Sequence, residues 1–194
     1  TAQNDWSLLT KYRVNLNLIA VAMAVQSWSG LRKVLRTKFV DSIQKSLDVH
    51  FTRYESKGAK GQHSERNSRF WITYSGDEIY SVSAHQYYAR LRIAGIESEL
   101  AELDPNIVVS GGPEYPEDLQ RCGVLHGIYG PWDAVDALRE YCELSIQEAQ
   151  QSTNPFIRGF ALVDSRTGKR TLQRLTPAED DHELVQVLYG LRCG

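Results

Sequence analysis

Apolar positions along this chain recur with two different periods, and the changes of period mark its elements. From Leu31 the apolar residues Leu31, Val34, Leu35, Phe39, Ile43 and Leu47 fall on one helical face, while Arg32, Lys33, Arg36 and Lys45 take the rest. The spacing predicts an amphipathic helix, capped at Ser27 or Ser29 and ending near Asp48. Val49, Phe51 and Arg53 then alternate with His50, Thr52 and Tyr54, a period of two that predicts a strand. Residues 58–68 form a polar, glycine-containing loop with no period. In "RFWITYSGDEIYSVS" two strands are predicted, Phe70–Tyr74 and Ile79–Val82, joined around Ser75-Gly76-Asp77. The segment Val49–Val82 therefore reads as a small antiparallel sheet of three strands.

Helical spacing returns at Ala84 and continues to about Leu103, with Gly95 as a break or kink. Residues 104–116, with three prolines and two glycines, are the least regular segment, and Ile107-Val108-Val109 adds a short strand there. The back half reads as helix. Pro131 suits a first helical position, and Trp132, Val135, Leu138, Tyr141 and Cys142 form a stripe for burial. "LSIQEAQQS" continues or re-enters helix. Asn154 and Pro155 mark the next start, and a final helix is expected from about Glu179 to Leu191. The fold class expected is α+β: an amphipathic helix and a small antiparallel sheet, followed by a helical C-terminal half. Residues 23–194 are expected to make one α+β domain, with a helix and sheet part over 23–104 and a helical part over 117–194.

Composition changes this picture little. A chain of 194 residues that is 42% hydrophobic and 24% charged has the makings of an ordinary globular core. At this length roughly 70% of the unfolded surface is buried, so neither disulfide nor metal is required. No uncharged apolar run reaches the roughly 20 residues of a membrane-spanning helix, which predicts a soluble protein that meets no membrane. The only methionine, Met23, raises three readings of residues 1–22: an upstream extension before an internal start, an extra strand built on Val14, Leu16 and Leu18, or a secretion signal ending at Ala20-x-Ala22. Asn15 and Asn17 cut the apolar core of a signal short, so the extension or the strand is preferred.

Charge is more informative than its total of −2. Residues 31–70 carry ten Lys and Arg against four Asp and Glu, whereas residues 76–150 carry four against fourteen. Such segregation fits pairing within the molecule or the offer of a charged face to a partner. A dedicated nucleic-acid domain is usually basic overall, so nucleic acid ranks behind a protein partner. Cys122, Cys142 and Cys193 are odd in number and lack a C-x-x-C pair, which argues for free thiols in a reducing cytoplasm.

The strongest chemical suspect is "DSRTGKRTLQR", which sets Arg166, Lys169, Arg170 and Arg174 around Gly168. Backbone N–H groups and cations there suit a phosphate, yet the first glycine of a phosphate-binding P-loop is replaced by Val163. The alternative is a helix–turn–helix corner with solvated or paired charges. The order Pro155, Arg158, Ala161 resembles the second helix of a HEAT-type pair and gives Arg158 a structural role. His50 with Tyr54 or Tyr74 offers an acid–base pair, although a strand histidine without a partnered nucleophile is more often structural. Glu55-Ser56-Lys57 matches half of a metal-dependent nuclease core and lacks its upstream aspartate. Cys122-x-x-x-His126 supplies only two of the ligands a zinc site needs. No catalytic residue, metal site or cofactor is therefore expected. The ligand-binding candidates are Arg166, Lys169, Arg170, His50 and Tyr54.

Four segments taken together, "WSGLRKVLRTKFVDSIQKSLDVHFTRY", "FWITYSGDEI", "LSIQEAQQSTNPFIRGFALVDSRTGKRTL" and "ELVQVLYGLRC", resemble a family of small uncharacterised bacterial proteins. The resemblance covers about residues 27–194. It implies a bacterial, cytoplasmic setting and a start near Met23, and it implies no catalytic residue. Its pattern D-R-R-x-G-K-R is met here except at Ser165. The functional expectation is a non-enzymatic protein-binding module of the immunity kind. The alternative is a phosphate- or nucleic-acid-ligand binder, or a weak nuclease-like enzyme, using the corner Arg166–Arg174.

Overall fold

The computed structural model describes residues 27–53, 68–95 and 123–194. The expectations for residues 1–26, for the loop 58–67, for Ile107–Val109 and for the irregular link at 104–116 lie outside these. The chain divides into two compact units: one formed by residues up to Lys45 together with Leu138–Gly194, the other by Ser46–Ala137.

In the first unit, α1 (Trp28–Lys38) starts where the Ser27 side chain accepts the Gly30 N–H. It buries Leu31 and Leu35, as its period requires. It does not run on to Asp48. Phe39 and Val40 are extended, a short α2 (Asp41–Gln44) follows, and Leu47 already belongs to a strand. The cause is long-range: Val40 N–H donates to Val163 O at 3.0 Å and Ser165 N–H donates to Lys38 O at 2.7 Å. A β-bridge pairs Phe39 with Asp164, and those bonds replace helical ones. Phe39 and Ile43 stay buried in the broken geometry, so the apolar pattern alone does not reveal the break.

The rest of this unit is helical. It contains the end of α4 (Pro131–Glu143), α5 (Ile146–Gln151), α6 (Pro155–Val163), α7 (Lys169–Arg174) and α8 (Glu183–Cys193). Chain re-enters helix at α5 through a capping box between Ser145 and Glu148. At α6 the Asn154 side chain accepts the Phe156 N–H and Pro155 occupies the first turn. Every α6 residue except Arg158 is buried, so this helix is the centre of the unit. Arg158 pairs with Asp181, the structural role its spacing suggested. The last helix begins at Glu183, four residues later than its pattern implied, with His182 Nδ1 accepting the Leu184 N–H. Gly159 lets α8 come close: a Cβ there meets Leu188 Cδ1 at 3.2 Å.

The second unit holds a three-stranded antiparallel sheet of β1 (Leu47–Thr52), β2 (Arg69–Tyr74) and β3 (Asp77–Ser83) in that order. Ser75 and Gly76 join β2 to β3 with φ of 53° and 95°, the positive pair that two-residue hairpins prefer. Leu47, Val49, Phe70, Ile72, Tyr80 and Val82 are buried on one face. Ser83 and Gln86 close a capping box at the start of α3 (Ala84–Ile93). Tyr87 and Leu91 of α3 pack with Tyr88, Ile128 and Trp132. The α+β class is as expected. Among the described residues, no helix is long and apolar enough to cross a membrane.

Candidate functional site

The corner between α6 and α7 is built around a buried charge. Asp164 ends α6 with extended backbone and no exposed surface. Its carboxylate accepts the Arg166 backbone N–H at 2.7 Å, the turn an aspartate two residues upstream favours. Arg166 returns on the same carboxylate with Nε at 3.0 Å and Nη2 at 2.7 Å. The Tyr141 hydroxyl of α4 donates to it as well. Burial pushes the Asp164 carboxyl up, but the bonds from Arg166 and Tyr141 outweigh that and leave it lowered. Burial first, then the Asp164 charge, raise the Tyr141 phenol, so it stays neutral.

Thr167 extends the clamp. It is fully buried, donates to Ala161 O at 2.6 Å and accepts from Gln150 Nε2 at 2.8 Å. Its carbonyl accepts from Arg192 Nη2 of α8 at 3.3 Å. This one corner thus ties α1, α4, α5, α6 and α8 together. Lys38, at the end of α1, lies with Nζ 5.4 Å from the Tyr141 ring centroid. Burial first, and then the Arg166 charge, lower its amine. Cys142 is buried beside these groups, and burial pushes its thiol up to about 11.

Of the candidate residues, Arg166 is committed to Asp164, with part of its guanidinium exposed. Lys169 and Arg170 are exposed on the six-residue helix α7, as is Arg174, and these side chains make no ion pair or hydrogen bond among the described residues. Leu172 anchors the opposite side of α7 against Leu162 and Val185. His50 belongs to the sheet unit. There it stacks on Trp71 with centroids 4.9 Å apart and meets Thr73 Oγ1 at 3.0 Å. Tyr54 lies outside the described residues, as do Glu55-Ser56-Lys57 and Cys122. Lys38, Tyr141, Gln150, Thr167 and Arg192 were not candidates. Only Tyr141 carried a signal, since a buried phenol needs a hydrogen-bond partner.

The family model described as the SF0329 protein family matches residues 27–193. Comparison with curated proteins and with solved structures returns no match.

Proposed function

We propose that this chain, which belongs to the SF0329 protein family, is a non-enzymatic binding protein that recognises an acidic protein partner through the cations of α7. The observation that carries the reading is that Lys169, Arg170 and Arg174 are exposed and ionically unmatched among the described residues, on a helix held fixed by Leu172 and the Asp164 clamp. A fixed helix loses little backbone freedom on binding, and complementary charge raises the association rate. Free thiols at Cys142 and Cys193 favour placing it in a reducing cytoplasm. Much of the acidic stretch over residues 76–150, namely residues 96–122, lies outside the described residues. For that reason the basic helix, rather than the acidic stretch, is taken as the contact.

The test places a photo-crosslinking residue at the exposed Gln173 of α7 in the full-length chain. The expected result is a discrete protein adduct, bearing an acidic segment, that disappears in a Lys169→Glu, Arg170→Glu, Arg174→Glu variant of unchanged thermal stability. Adducts that survive the charge reversal count against the reading, and so do adducts to nucleic acid in place of protein.

A further inference from the structure

The cluster at the end of α1 carries an excess of donors. Asp164 is saturated, because Tyr141 and three nitrogens of Arg166 already bond to its two oxygens. Arg166 spends Nε and Nη2 there and keeps both N–H groups of Nη1. The Lys38 ammonium faces the Tyr141 ring and makes no hydrogen bond or ion pair among the described residues, so its three N–H groups are unspent there. The bond from Ser165 N–H to Lys38 O at 2.7 Å brings the two backbones together, and the Arg166 charge acts on the Lys38 amine. With Tyr141 and Cys142 uncharged, Lys38 and Arg166 meet the buried Asp164 carboxylate, and the exposed Glu143 carboxylate acts on Cys142 beside them.

From this geometry we infer that Lys38 and Arg166 together form a binding site for a phosphoryl oxyanion. The N–H groups left on Nη1 and on Lys38 suit a group that presents several acceptor oxygens, as the three oxygens of a phosphoryl group do. The charge also fits, since a group of −1.5 to −2 near neutral pH meets two cations, of which the buried Asp164 carboxylate pairs directly with Arg166. The buried Asp164 fixes the Arg166 fork, so the donor array is set before the anion arrives. This site is separate from the cations of α7 and stands or falls independently of the function proposed above.

The experiment uses the full-length protein, uniformly labelled with carbon-13 and otherwise unmodified, so that the Lys38 ammonium keeps its three N–H groups. The Lys38 resonance, assigned by its loss in Lys38→Gln, is followed during titration with inorganic phosphate and, separately, with an end-blocked phosphoserine. A saturable shift, weakened about tenfold or more in binding by Lys38→Gln as judged by calorimetry, is the expected result. Lys38 takes no part in the Asp164 clamp, so this variant retains the fold, and Lys33→Gln, at an exposed position of α1, serves as a control that leaves binding unchanged. Tighter binding of phosphoserine than of phosphate assigns the group to a phosphorylated chain; equal binding assigns it to a free oxyanion. A Lys38 resonance that does not respond to either probe overturns the inference, as does phosphate binding that Lys38→Gln leaves intact.

Discussion

Replacing Asp164 by Asn tests the clamp most directly, because the change keeps the shape and removes the charge. In the native protein the carboxylate is fully buried and accepts from Tyr141, the Arg166 backbone, Nε and Nη2. An amide retains one oxygen for two of those donors and turns an N–H₂ group toward the others. Hydrogen bonds to a charged group contribute about 1.5–3 kcal/mol each in net terms, and breaking a buried pair costs about 3–5 kcal/mol. Arg166 is 40% exposed and regains water, so the expected loss sits at the low end, about 3 kcal/mol. For a chain of this length that corresponds to a fall of roughly 6–12 °C in Tm. Urea unfolding at neutral pH, followed by tryptophan fluorescence, reads the loss. A double-mutant cycle with Tyr141→Phe should show a coupling of about 0.5–3 kcal/mol. Asp164→Asn within about 0.5 kcal/mol of the parent, or strict additivity in the cycle, refutes the reasoning. The lowered carboxyl also contributes stability that is present above the ordinary aspartate range and is lost as pH falls through its folded value. That acid-side loss should be smaller in Asp164→Asn.

Three further outcomes are expected. Burial, opposed by the Gly130 N–H and aided by Asp136, raises Asp133 to about 6 from 3.8, so its contribution to stability is full below 3.8 and declines as pH rises toward 6; Asp133→Asn should lack this decline, and identical urea midpoints across that window for both proteins would rule it out. Gly159→Ala sets a Cβ 3.2 Å from the buried Leu188; crowding of about 1–3 kcal/mol outweighs a helix-propensity gain of about 1 kcal/mol, so the variant should unfold at lower urea. With Cys122 and Cys193 changed to Ser, Cys142 should resist a thiol reagent at pH 8 until urea is added, because its thiol is buried and raised to about 11; rapid native reaction would contradict that.

The parts of this fold written in local pattern were legible. The hairpin over β2 and β3 followed from period two and a Gly76 turn, and α6 from Asn154 and Pro155 at its start. The break after Lys38 was not, because Leu31 to Leu47 keep helical spacing while the bonds that break the helix come from Val163 and Ser165. The corner "DSRTGKR" was noticed for its charges, but a string of letters does not say which charges turn inward. Asp164 and Arg166 close on each other, whereas Lys169, Arg170 and Arg174 keep their charges at the surface without a partner among the described residues. Lys38 drew no notice, since its neighbours Tyr141 and Arg166 are far from it in sequence.

The bridge between Phe39 and Asp164 has a consequence for the order of events during synthesis. Helix α1 leaves the ribosome well before the residues that hold its end in place, which come only at Val163–Ser165. Closing a flexible loop from residue 39 to residue 164 costs roughly 4 kcal/mol in chain entropy, apart from a constant. The sheet unit is drawn from one continuous stretch, Ser46–Ala137, and its hairpin contacts are local, so it is free to form while α1 waits. Once it has formed, the span between α1 and the Asp164 corner is no longer a flexible loop, and much of that entropic cost has already been met.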